Sequence, residues 1–349
     1  MEFDFDLLCE LTETSGVAGY EDRVRTIVRR EFAETVDDVQ TDAMGNVVGT
    51  IEGDSPYSVA VAAHMDEIGF MVRHITDEGF VQLDALGGFD PRVLRAQRVT
   101  VHTDDEDLTG VIGSVPPHTL TDEQRSADDK VKDVYVDLGL DGETVEDRVS
   151  VGDLVTLQQT TIEMGEMVTG KALDDRVCLL AMLEAARRIE DPAVTIHFAA
   201  TVQEEVGLRG ATALGVDIDP DLAIALDVTV ANDVPTIGSE ADAVTSLGDG
   251  VAIKLKDSSV ITSPKVHRRM KTLAEDREIP FQLEVLPAGG TDTAGFQNTH
   301  GATPVGALSI PTRYLHTVTE TAHVDDIDAT IELLTALLET ETGEHNYTL

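Results

Sequence analysis

Residues 193–210 read AVTIHFAATVQEEVGLRG: a continuous apolar run, two adjacent glutamates, then a turn on glycine. The run reads as a buried strand, and its abrupt polar end asks what the paired carboxylates face. The flanking segments repeat the plan. LAIALDV (222–228) and ATPVGALSI (302–310) are further apolar strands. Between and after them lie helical patterns. DDRVCLLAMLEAARRIED (174–191) puts Cys178, Met182, Ala185 and Ile189 on one face, and SPKVHRRMKTLAEDREI (263–279) is helical too. DDIDATIELLTALLET (325–340) aligns Ile327, Ile331, Leu334 and Leu338. Such alternation of strand and helix predicts an α/β fold, a sheet with helices on both faces.

Nearer the start, YEDRVRTIVRREFAETV (20–36) stacks Val24, Ile27, Val28 and Phe32 on a helical face, and YSVAVAAHMDEIGF (57–70) opens as a buried strand ending at His64. From about Gly69 to Thr160 the texture changes to short β-like pieces, among them FMVRHI, FVQLDAL, RVTVHT, GVIGSV, DVYVDL and DLVTLQQ, separated by Gly, Asp and Pro. That spacing predicts a small all-β unit. The early strand needs a sheet to join, so the division expected is a discontinuous α/β domain, 1–66 with 161–349, interrupted by a β-rich insert, 67–160.

The chain has 349 residues, about two domains' worth, and is 42% hydrophobic with 4% aromatic residues and no Trp, so its cores are aliphatic. It carries 66 acidic against 25 basic residues, a net charge of −41. The acidic residues are scattered rather than gathered in a tail, and the apolar periodicity excludes a disordered acidic chain. A folded protein this acidic repels itself at low ionic strength, and salt relieves the repulsion. A halophilic, cytoplasmic setting is therefore expected. No basic stripe exists for nucleic acid, and no apolar run is long enough to predict a membrane span. Two cysteines, Cys9 and Cys178, lie in helical patterns and exclude a disulfide framework.

In α/β sheets, ligands bind beyond the carboxyl ends of the strands. Those ends carry His64 and Asp66, Glu204 and Glu205, Asp227 and, a little further on, His316; Asp174 and Asp175 precede a long helix. If the strands are neighbours, these groups converge on one rim. Crowded carboxylates raise one another's pKa unless positive charge neutralises them, and a pair of divalent ions does so. Mixed imidazole and carboxylate donors suit zinc or cobalt better than magnesium. One glutamate of the pair can then ligate while its neighbour handles the water. The glycine pairs 87–88 and 289–290 form no nucleotide-binding pattern.

AHMDEIGFMV (63–72), KALDDR (171–176), TVQEEVGLRGA (201–211), ALDVT (225–229) and GGTDT (289–293) with SIPTRYLHT (309–317) resemble the tetrahedral, self-compartmentalising di-metal aminopeptidases in a haloarchaeal-like form. The likeness runs from about Leu7 to Glu339. It implies a zinc-exopeptidase-like mixed sheet, with the insert a small barrel-like dimerisation domain. It implies that His64 and Asp227 hold one metal, Glu205 and His316 the other, and that Asp174 bridges both through a cis peptide to Asp175. Glu204 would be the general base acting on a water activated by the two metals, and Asp66 would orient His64. Asp292 is a candidate substrate contact in the loop 287–296. His323, which matches no ligand, is expected at the surface or behind the ligands. Two zinc or cobalt ions per subunit, short peptides as substrate, and a tetrahedral dodecamer built from dimers follow from the same likeness. The alternatives are a related di-metal exopeptidase or deacylase, and a non-catalytic metal-binding assembly protein.

Overall fold

The structure, a computed structural model, describes residues 1–122, 130–235, 243–299 and 301–349. Its main sheet runs β1 (Asp38–Thr41), β2 (Val47–Ile51), β12 (Val194–Thr201), β3 (Ser55–His64), β13 (Leu222–Val230), β16 (Val305–Arg313), β17 (Glu320–His323), β11 (Met167–Gly170), β10 (Ile162–Met164), with β14 (Val251–Lys256) and β15 (Phe281–Val285) branching from β16. The four central strands β12, β3, β13 and β16 are parallel, and the flanking β2, β14 and β17 run antiparallel to them. The sheet is therefore mixed. The early strand β3 sits at its centre, where the sequence required a partner for it.

The four central strands are largely apolar because both faces are covered. Along β3 the side chains alternate. Val59, Val61 and Ala63 join the larger core, while Ala60 and Ala62 face the smaller one on the opposite side. The larger core takes the buried faces of α1 (Phe5–Glu13), α2 (Asp22–Ala33), α4 (Leu173–Arg188), α6 (Pro264–Asp276) and α8 (Val324–Glu339). The aligned residues read from the sequence, Val24, Ile27, Val28 and Phe32 in α2 and Ile327, Ile331, Leu334 and Leu338 in α8, all lie there. The smaller core packs Ala211 and Leu214 of α5 (Arg209–Ile218) and Phe296 of α7 (Thr293–Gln297). Helix α4 is buried on every side over most of its length, Cys178 included.

The remaining strands close into a barrel in the order β4 (Gly69–Ile75), β5 (Phe80–Leu86), β8 (Tyr135–Asp137), β7 (Asp107–Ile112), β6 (Gln97–His102), β9 (Leu154–Leu157). It has its own core around Phe70, Val72, Leu83, Val99 and Val155. This unit is not all-β. Helix α3 (Gly142–Arg148) lies within it, started by Asp141, whose carboxylate accepts from the Thr144 N–H at 3.0 Å. Seven residues with one apolar contact, Val145, leave too little periodicity to read as a helix. Among the described residues no helix is long and apolar enough to cross a membrane.

Candidate functional site

Strand register assembles the site. Thr201 of β12 lies opposite His64 of β3, and Ala225 of β13 lies opposite Ala62. Two residues on, Asp227 comes level with His64. Glu204 and Glu205 follow β12 directly, and His316 follows β16, so all emerge at the same edge. Helix α4, packed on β3 and β13, brings Asp174 to that edge. The Asp174–Asp175 peptide is cis.

Two overlapping donor sets result: His64, Asp174, Asp175 and Asp227, and Asp174, Glu205 and His316, the atoms of each within 4.8 Å of one another. Asp174 belongs to both. Its Oδ1 lies 3.2 Å from His64 Nε2 and its Oδ2 3.4 Å from His316 Nε2. Glu205 Oε2 lies 3.7 Å from His316 Nε2. Glu204 stands outside both sets, with Oε2 4.0 Å from His64 Nε2. Asp292, at the start of α7, is buried. Its Oδ2 accepts from the Thr201 hydroxyl, and its Oδ1 has no hydrogen-bond partner among the described residues.

Asp66, expected to orient the His64 imidazole, meets it through its backbone. His64 Nδ1 donates to the Asp66 backbone carbonyl at 3.0 Å, while the carboxylate Oδ1 is farther, at 3.5 Å. That carboxylate accepts instead from the N–H groups of Glu204 at 3.0 Å and Glu205 at 3.1 Å. With Nδ1 held by that carbonyl, His64 turns its Nε2 toward Asp174.

The structure adds further supports, of which the sequence reading names only Asp175. Asp175 Oδ2 accepts from the His64 N–H at 3.1 Å. Glu320 accepts from the N–H of Asp174 at 3.0 Å and of His316 at 2.8 Å. Asn46, fully buried, accepts from Val202 N–H at 3.0 Å and donates to the Gly210 carbonyl at 3.2 Å, pinning both ends of the glutamate loop. A Cβ at Gly210 would lie 2.5 Å from the Asn46 side-chain oxygen, so the glycine is part of that clasp. The loop after β5 also reaches the site: a Cβ on Gly88 would lie 3.2 Å from His316 Nδ1. His323 is no surface residue. It is buried at the end of β17 and caps α8 by accepting from the Asp325 N–H at 3.1 Å.

The rim is short of positive charge. Burial, reinforced by neighbouring carboxylates, pushes Glu204, Glu205 and Asp227 well above the usual carboxyl range. Burial also favours the neutral form of Asp174, but hydrogen bonds from His316 and His64 outweigh it and hold that carboxyl below its usual range. The bond to Asp174 is the chief cause pushing His316 up to about 10. Nearby cations are already engaged: Lys171 with Glu67 at 2.6 Å, Lys254 with Glu284, and Arg176 with the carbonyls of Met65 at 2.7 Å and Thr14 at 3.0 Å. Asp175, a member of the first donor set, has a buried Oδ1 with no hydrogen-bond partner among the described residues. Surplus carboxylates, two imidazoles turning Nε2 toward one shared carboxylate and an orphaned buried oxygen together fit divalent cations.

The chain is similar to known proteins along nearly its whole length. Residues 45–333 match the model for M42 glutamyl aminopeptidases. The lysyl aminopeptidase of Pyrococcus furiosus is 36% identical over 96% of this chain and 97% of its own. An aminopeptidase from the archaeon Desulfurococcus kamchatkensis superposes with a TM-score of 0.93 at 36% identity, covering 97% of this chain and 95% of its own. The TET1 peptidase of Pyrococcus horikoshii, described as assembling into a tetrahedron or a large octahedral shell, superposes at 0.87 with 33% identity, covering 97% of this chain and 99% of its own.

Proposed function

The chain belongs to the M42 glutamyl aminopeptidase family and is a peptide hydrolase, and from that premise we propose that it removes N-terminal residues from short peptides at this rim. The observation that carries the proposal is the overlap of two donor sets on Asp174. His64, Asp174 and Asp227 would hold one divalent cation, and Asp174, Glu205 and His316 a second, with zinc or cobalt favoured by the mixed donors. When bound, such cations acidify water and polarise a carbonyl.

The chain's own groups do the rest. Glu204 lies beside the donors without belonging to them. It takes the proton of the attacking water and passes it to the leaving amine. Asp66, through two backbone amides, keeps Glu204 and Glu205 at fixed separation. Asp292, with one buried oxygen unpartnered, is read as a contact for the substrate's free α-amine. That contact would restrict cleavage to chain ends.

Aminoacyl p-nitroanilides assayed beside N-blocked dipeptides test this reading. The free-amine series should turn over, stop on chelation and recover with added zinc or cobalt. Asp292→Asn should raise KM for that series more than it lowers kcat. Cleavage confined to the blocked series would reject the aminopeptidase reading.

The barrel, taken as a dimerisation unit over residues 67–160, leaves Phe80, Val111, Val115 and Tyr135 exposed. An apolar patch of that kind supports a partner copy. With the shells described for the TET1 peptidase, it supports a dodecamer built from dimers. The net charge of −41 supports a salt-rich cytoplasm. In about 3 M KCl, light scattering should report a particle roughly twelve times the 37.5 kDa chain. Near 0.1 M KCl, where the Debye length is about 10 Å, stability to urea should fall markedly. Equal stability at both salt concentrations would remove the halophilic reading, and a particle of only two chains would remove the dodecamer.

A further inference from the structure

Glu320 sits on β17, four residues past His316, and is 2% exposed. It belongs to neither donor set. Its two oxygens are both used, each by a backbone N–H. Oε2 accepts from Asp174 at 3.0 Å and Oε1 from His316 at 2.8 Å. These two residues come from separate elements, the start of α4 and the loop after β16. The cavity that Glu320 lines with Lys171, Asp174 and Glu205 measures about 20 Å³, room for a single water and far too small for a substrate side chain. His316 has φ +60°, a left-handed backbone uncommon outside glycine.

We infer that Glu320 is a positioning residue: one buried carboxylate that fixes Asp174 and His316 relative to each other through their main-chain amides. The inference rests on the metal-site reading above. A glutamine of the same shape cannot replace it. Its amide offers a single oxygen, and its NH₂ would confront the second N–H, donor against donor. Either Asp174 or His316 must then shift. The consequence falls on the site they share with Glu205, and the His64–Asp227 side is affected less.

The test uses full-length, assembled protein stripped of metal and titrated with Co²⁺, read by calorimetry and by the visible absorption of bound cobalt. Wild type should take up two ions. Glu320→Gln should bind one of them about 10–100-fold more weakly with an altered cobalt spectrum, the scale seen when supports of metal ligands are lost. Its kcat should fall on the same scale, and cobalt in excess should restore part of it. Wild-type isotherm, spectrum and turnover in Glu320→Gln would overturn the inference. A wild-type protein that binds no cobalt would overturn the metal-site reading, and this inference with it. If the variant fails to fold, residue-resolved hydrogen exchange on metal-stripped wild type decides. Slow exchange at the amides of both Asp174 and His316 supports the clasp, and fast exchange at either overturns it.

Discussion

Replacing Glu204 with glutamine is expected to lower turnover by about 10²–10⁴-fold, the range lost with a general acid–base group, while metal content and assembly stay as they are. Glutamine has the same volume and removes only the ability to take a proton. Glu204 lies outside both donor sets. Its backbone N–H is held by Asp66 at 3.0 Å whatever the side chain. Loss of binding is therefore not part of the effect. KM should change little and kcat should carry the loss, the pattern of an interaction made only in the transition state. Metal analysis beside steady-state kinetics checks both halves. Turnover within a few-fold of wild type would take Glu204 out of the mechanism.

Asp174→Asn should do more damage by a different route. Each Asp174 oxygen points at a different imidazole, Oδ1 at His64 and Oδ2 at His316, 3.2 and 3.4 Å away. An asparagine keeps one acceptor and presents N–H donors where the other was, so one donor set is broken outright. Loss of one bound cation forfeits several kcal/mol of charge stabilisation in the transition state, which at 1.36 kcal/mol per decade is at least about 10³-fold in rate. Elemental analysis should find no more than one ion per subunit. A full complement with turnover within tenfold of wild type would show that Asp174 is not shared.

The sequence made the fold legible where burial is total. Runs such as LAIALDV and VGALSI have no polar face to hide, and the long helices carry apolar stripes. The candidate groups at strand ends were legible for the same reason: a carboxylate after such a run has to face something other than the core. The supporting groups were not legible. Asn46 and Glu320 act through main-chain amides, which have no residue identity and leave no spacing rule. Asp66 was visible by its place beside His64, but its use of the Glu204 and Glu205 amides depends on which strands are neighbours. Helix α3 escaped because one buried valine in seven residues makes no stripe.

Gly88 ties the inserted unit to the chemistry. A methyl group there would press on the His316 ring at 3.2 Å, so a loop carried by the barrel forms part of the enclosure around that imidazole. The barrel is therefore no detachable handle. A minimal version engineered by excising it would strip one flank from His316 and open the rim to bulk water. Any displacement of the barrel would therefore shift one wall of the space in which that ring sits.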